Sequence, residues 1–288
     1  MRTQSIDTQP EAERVMIELI RGAPMSRRFR LVQSLTQSAL WSSFHAWRER
    51  HREASEQEAA GQVVSTCYGA DLARCVQEAL ERRESWHMQP IDLLAAMLPA
   101  VRAFDLLGVS SYLAGSIASS LHGMQQLAQD IDLVVDLPAS SVATLLALLK
   151  PSYALNEDAM REASLSRTPC SLIHLDTLLK VDVIPPRPSP FEAAIRPLVA
   201  AYALDERYPP VRVASACEMI LFKLQRYWRD ERSRSDGMRD DSEWCDILGM
   251  LKVQGPALDL ALLEQWAGSL DGAEIWRQAL VDAGLADA

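Results

Sequence analysis

Residues 130–138, DIDLVVDLP, leave this 288-residue chain little conformational choice, because five β-favouring apolar residues sit among aspartates at 130, 132 and 136 until Pro138 stops the run. The period of two places Asp130 and Asp132 on one face of a strand, about 7 Å apart along the backbone. An acidic face on an apolar strand needs a metal ion or a hydrogen-bond cage to offset its desolvation. Asp136 shares the parity but lies about 13 Å beyond Asp132 and next to Pro138, which suits a strand-end or helix-capping role.

The surroundings of this strand set its neighbours. Residues 90–108 read as an apolar helix, followed by a short β-rich run, SSYLAG, and a small-residue helix, SIASSLHG. Gly115 and Ser116 therefore fall at a strand-to-helix turn, where free helix amides and a hydroxyl can hold phosphate oxygens and glycine permits close backbone approach. A helix through SVATLLALLK and a polar helical stretch near NEDAMREA come next. Then SLIHL and LLKVDVIP flank Asp176 and Thr177 and read as a hairpin that leaves through PPRPSP. Asp182, inside the second of these runs, supplies a third carboxylate that could complete a magnesium site or accept a proton from an attacking hydroxyl. Lys180 shares its parity, which either directs the ammonium to the same place or leaves it solvated at a hairpin edge.

The first 89 residues hold 12 Arg, no Lys and 12 acidic residues, against 17 basic and 27 acidic in the rest. They read as helices, with Leu31, Leu35, Ala39 and Ser42 at helical spacing and a capping box at residues 55–58, SEQE. The chain after residue 215 also reads as helical. The architecture expected is α+β, a small mixed sheet flanked by helices, divided into an N-terminal helical module (1–89), a sheet-bearing domain (90–186) and a C-terminal helical domain (187–288).

Net charge is 29 − 39 = −10, so a broad nonspecific grip on nucleic acid is not expected, although a local basic patch could still meet a polyanion. Five scattered cysteines without a CxxC pair argue against zinc and predict reduced, buried thiols. With no run of about 18 apolar residues and no cationic-then-apolar start, the expected location is the cytoplasm, away from membranes.

Gly115-Ser116, thirteen residues, then DIDL from Asp130, with Asp182 later on a strand, resembles the nucleotidyltransferase signature of the DNA polymerase β superfamily. The fuller stretch YLAGSIASSLHGMQQLAQDIDLVVDLP is similar to minimal nucleotidyltransferases, including the abortive-infection type of toxin–antitoxin systems. The likeness extends over residues 90–270 and leaves the first 89 outside. It implies that Gly115 and Ser116 contact a nucleoside triphosphate tail, that Asp130, Asp132 and Asp182 hold Mg2+ or Mn2+, and that these three are the catalytic carboxylates. It implies transfer of a nucleoside monophosphate to a hydroxyl, with the 3′ end of tRNA or a protein side chain as acceptor and a partner protein of a toxin–antitoxin pair. Glu218, Lys223 and Asp246 fall at family-like places on C-terminal helices, Lys223 as a nucleotide contact.

Relatives commonly read HGxxRxTxDID, whereas this chain has Gln126 and Ala128 at the Arg and Thr places. A missing guanidinium removes a charge-assisted bond worth roughly 1.5–3 kcal/mol. Lys180, Lys223 or one of Arg226, Arg229, Arg232, Arg234 and Arg239 would have to replace it. The competing expectation is a binding or antitoxin-like module that keeps the fold without the activity. The stretch KLQRYWRDERSRSDGMRDD interleaves Tyr227 and Trp228 with arginines that suit an RNA backbone, but its acidic residues equally describe a solvated loop. His122 and His174 read as structural histidines, and the tryptophans as packing residues.

Overall fold

The computed structural model describes residues 2–5, 7–186, 198–233, 241–269 and 272–286. Helices α1 (Pro10–Arg21), α2 (Met25–Arg50), α3 (Glu56–Tyr68), α4 (Ala70–Leu80) and α5 (Leu93–Leu106) precede the first strand, β1 (Ser111–Leu113). Next come α6 (Gly115–His122), β2 (Asp130–Val135), α7 (Val142–Leu149), β3 (Tyr153–Leu155), α8 (Glu157–Ser166), β4 (Cys170–His174) and β5 (Lys180–Ile184). The last part holds β6 (Ala200–Tyr202), β7 (Val211–Val213), α9 (Ala216–Ser233), α10 (Asp241–Gln254), α11 (Leu260–Ser269) and α12 (Ala273–Ala283). The fold is α+β. None of the described helices is long and apolar enough to cross a membrane.

The helix starts obey local chemistry. Ser55 and Glu58 form the expected capping box on α3, Asp92 accepts from the amides of Leu94 and Ala95 at the head of α5, and Asn156 accepts from Ala159 at α8. The chain divides into two compact units: Leu31–Ser116 with Leu127–Arg187, and Met1–Arg30 with Ile117–Gln126 and Pro188–Ala288. Residues 31–89 thus lie in the same unit as β1 to β5.

In that first unit the strands run β3-β4-β5-β2-β1. β1 is antiparallel to β2, β2 parallel to β5, and β5 antiparallel to β4, which makes the sheet mixed. Alternation decides its faces: Ile131, Leu133, Val135, Val181 and Val183 are buried, whereas Asp130, Asp132, Lys180 and Asp182 share the half-exposed face. The helical spacing of Leu31, Leu35, Ala39 and Ser42 is met by α2, but its buried stripe in this unit is Val32, Thr36, Leu40 and Phe44, with Leu31 and Leu35 46% and 45% exposed. Both sets have helical spacing; burial of a threonine at the stripe's centre is what the apolar pattern could not show.

In the second unit β6 and β7 form an antiparallel hairpin that the helical reading of this region lacked. Its three-residue strands are too short to leave a period-two signature. Helix α1 packs on α10 through a buried ion pair, Glu13 to Lys252 at 2.9 Å. His122 is buried, its Nε2 2.7 Å from the carbonyl oxygen of Ala214. The cysteines carry no disulfide, but the expectation of buried thiols is corrected: Cys67 is exposed and the other four are half-buried. Part of PPRPSP, from residue 187 on, lies outside the described residues.

Candidate metal centre

Parallel pairing of β2 with β5 sets Asp132 opposite Asp182 and Asp130 opposite Lys180. Because all four share one face, sheet register alone gathers them. One oxygen from each of Asp130, Asp132 and Asp182 lies within 4.8 Å of the others. The parity argument covers the pair on β2; the parallel register, invisible in the sequence, brings the third.

Each carboxylate has its own support. Ser171, opposite Asp182 on β4, donates through Oγ to Asp182 Oδ1 at 2.6 Å. Lys180 Nζ stands 3.0 Å from Asp130 Oδ2 and 2.9 Å from Asp182 Oδ2, with a side chain only 19% exposed. Burial pulls the Lys180 pKa down, but hydrogen bonds to and charges on Asp182 and Asp130 outweigh it and leave the ammonium above its ordinary range. Asp132 meets Gly115, whose φ is +64°; a Cβ there would stand 1.7 Å from Asp132 Oδ2. Glycine at this turn is therefore required both by the left-handed backbone and by the carboxylate lying against it. Ser116 Oγ, one residue on, is buried without a hydrogen-bond partner.

Two residues far upstream pin the approach to Asp130. Thr36 Oγ1 on α2 both donates to the carbonyl oxygen and accepts from the amide of Ala128, each at 3.2 Å. A hydroxyl from another helix thus satisfies both backbone groups of the residue two positions before Asp130. Tyr68, at the end of α3, donates to the carbonyl oxygen of Gln129 at 3.1 Å, and its ring centroid lies 5.9 Å from Lys180 Nζ. Burial keeps the Tyr68 phenol protonated well beyond its ordinary range. Nothing local in the sequence marks Thr36 or Tyr68, since both contacts span more than 60 residues.

The remaining candidates have other partners. In the second unit Lys223 is buried and held by Glu243 at 2.8 Å and Asp246 at 2.6 Å, while Arg226 reaches Glu243 at 3.3 Å. Burial lowers the Lys223 pKa, but the charges of Asp246 and Glu243 raise it by more. Glu218 is buried on α9. The side chains of Arg229 and Arg232, and all of Arg234 and Arg239, lie outside the described residues, as does most of the basic–aromatic stretch; Tyr227 packs on Trp244 at 4.9 Å. Asp136 pairs with Arg167 at 3.0 Å just beyond β2. His174 is buried against Thr177 at 2.9 Å, and burial lowers the pKa of both it and His122.

The donor set is three carboxylates without sulfur or imidazole, which suits a hard divalent cation such as Mg2+ or Mn2+. Beside them stand the orphaned Ser116 hydroxyl, a donor without an acceptor, and the glycine turn that lies directly against Asp132.

No protein-family model matches the chain, and no curated protein matches it. Among solved structures the chain is similar to an antigenic nucleotidyltransferase-like protein from Paracoccidioides brasiliensis, at 14% identity and a TM-score of 0.40, over 65% of this chain and 92% of that one. The chemistry open to the centre is set by its own atoms.

Proposed function

We propose that the chain is a divalent-metal-dependent nucleotidyltransferase, moving a nucleoside monophosphate from a nucleoside triphosphate to a hydroxyl and releasing pyrophosphate. The observation that carries this reading is the meeting of Asp130, Asp132 and Asp182 within 4.8 Å on one half-exposed sheet face. Asp130, Asp132 and Asp182 would hold Mg2+ or Mn2+, which when bound supplies Lewis-acid stabilisation of charge on the transferring phosphoryl group and on pyrophosphate. The chain's own part is placement. Gly115 keeps backbone close to Asp132 without a side chain between them, and the Ser116 hydroxyl offers its hydrogen to a phosphate oxygen. Asp182, oriented by Ser171, accepts the proton as the acceptor oxygen forms its bond to the α-phosphorus and the bond to the pyrophosphate oxygen breaks.

The acceptor class is proposed from the family resemblance: a tRNA 3′ end or a protein hydroxyl, in a toxin–antitoxin setting. Lys223 belongs to this proposal as a nucleotide contact only if it exchanges its partners Glu243 and Asp246 for phosphate. Incubating the chain with each α-labelled triphosphate, Mg2+ or Mn2+, total RNA and cell extract tests the activity and reads base and acceptor together. Labelled macromolecule is expected with the wild type, and loss of at least a thousandfold with Asp132→Asn or Asp182→Asn, each still folded by circular dichroism. Undiminished labelling by Asp132→Asn would refute the assignment.

One observation favours a second reading, a binding module that retains the fold without turnover: Lys180 already contacts two of the three carboxylates. Calorimetry with Mn2+ and each triphosphate separates the two, since that reading expects no metal-dependent heat.

A further inference from the structure

We propose that Lys180 is a displaceable internal counter-ion: its ammonium holds Asp130 and Asp182 together in the metal-free protein and must leave them when a divalent cation enters. This inference rests on the metal-binding reading above and adds to it an intramolecular competitor for the site.

Three features of the structure place the lysine in that role. Its Nζ lies between carboxylate oxygens of both strands, 3.0 Å from Asp130 and 2.9 Å from Asp182. These are two of the three residues able to ligate one ion, so the ammonium and the metal draw on the same acceptors. The register is built for it as well, since Lys180 is the cross-strand partner of Asp130 and stands two residues before Asp182 on the same face. Finally, the side chain is only 19% exposed with its ammonium 5.9 Å from the Tyr68 ring centroid, while four flexible methylenes let the ammonium swing outward without moving the backbone. Arginine or a structural polar group would be harder to release.

Three carboxylates and one ammonium leave −3 + 1 = −2 at the centre, and a divalent ion that expels the ammonium from its contacts replaces one positive charge with two. Metal affinity of the free protein is therefore weakened by the work of breaking two ion pairs. The freed ammonium stays tethered beside the centre, where a nucleotide's phosphates are the natural new partners. Metal and nucleotide would then bind with positive coupling.

The test is calorimetric titration of the full chain with MnCl2, without nucleotide, on wild type, Lys180→Met and Lys180→Arg. Lys180→Met is expected to bind Mn2+ at least tenfold tighter than wild type, whereas Lys180→Arg, whose guanidinium is harder to release, binds more weakly than wild type. Equal or weaker binding by Lys180→Met overturns the proposal and leaves the metal site standing. Absence of Mn2+ binding in every form overturns the metal reading and this inference with it. A measurement on wild type alone covers the case in which the variants fail to fold. Acetylation of Lys180 by acetic anhydride, followed by mass spectrometry, should accelerate at least fivefold on adding Mn2+ if the ammonium is expelled. An unchanged rate with Mn2+ bound would show that it stays in place.

Discussion

Replacing Gly115 with alanine separates the backbone role of that glycine from its contact with Asp132. At φ +64° any L-residue carries a conformational cost of roughly 1–2 kcal/mol. The new Cβ would also stand 1.7, 2.6 and 2.8 Å from Oδ2, Cγ and Cβ of Asp132. Rotating the Asp132 side chain relieves the first two contacts but not the third, so the backbone must shift as well, an overpacking cost of about 1–3 kcal/mol. The total is roughly 2–5 kcal/mol. Gly108 supplies the control: its φ is +69° and nothing lies within 4 Å of a Cβ there, so Gly108→Ala carries the backbone cost of about 1–2 kcal/mol alone. Urea unfolding should place Gly115→Ala about 1–3 kcal/mol below Gly108→Ala. Titration with MnCl2 should show at least a tenfold loss of affinity for Gly115→Ala and none for Gly108→Ala. Adding Asp132→Ala to Gly115→Ala should recover only part of the difference in stability, because the 2.8 Å contact with the Cβ of residue 132 remains, and should not recover the metal. Equal destabilisation of the two glycine variants, or unimpaired Mn2+ binding by Gly115→Ala, would refute the reasoning.

Thr36→Val leaves the buried amide and carbonyl of Ala128 without their side-chain partner at constant volume, so a loss of about 2–4 kcal/mol is expected by denaturant unfolding, with Thr36→Ser recovering most of it. The two buried histidines predict an acid limb in stability. With folded pKa values depressed by burial below 6.5, His122 and His174 contribute stability that is fully present above pH 6.5 and lost as the pH falls below it, by at most about 1.4 kcal/mol per histidine per pH unit. His174→Gln should flatten the fall in urea midpoint between pH 7 and 5.5, and an unchanged slope would assign that limb to other groups.

The range of each interaction decides whether the sequence discloses it. β2 is legible because alternation along DIDLVVDLP and the stop at Pro138 are properties of nine consecutive residues. The β4–β5 hairpin is legible for the same reason. Gly115 is recognisable as a turn glycine, but the atom that forbids a Cβ there belongs to a residue 17 positions on. Ser171 could have been found by parity once β4 was paired antiparallel with β5. Thr36 and Tyr68 could not, because a buried threonine on an amphipathic helix and a tyrosine at a helix end carry no mark of the strand they hold. The short strands β3, β6 and β7 escape because three residues cannot display a period, whereas β1, equally short, is marked by the glycine turn that follows it.

The electrostatics of the triad explain why these pieces occur together. At an effective dielectric constant near 20, two carboxylate charges at the 4.8 Å limit repel by roughly 3–4 kcal/mol, so three pairs within that limit oppose assembly by at least about 10 kcal/mol. Two ammonium contacts at 2.9 and 3.0 Å return roughly 5–6 kcal/mol each, an attraction of the same order as that repulsion. Lys180 is thus sufficient to hold the carboxylates close, and not sufficient to make the centre strongly favourable. A centre so balanced is pre-assembled yet exchangeable. A metal ion finds its ligands already gathered by the sheet register, and the work of breaking the two ammonium contacts is offset by its own double charge. Had an arginine bridged the same oxygens bidentately, the closed form would be harder to open. Had a neutral residue stood at position 180, no cation would compete with the metal for Asp130 and Asp182, and the carboxylates would repel one another until it arrived.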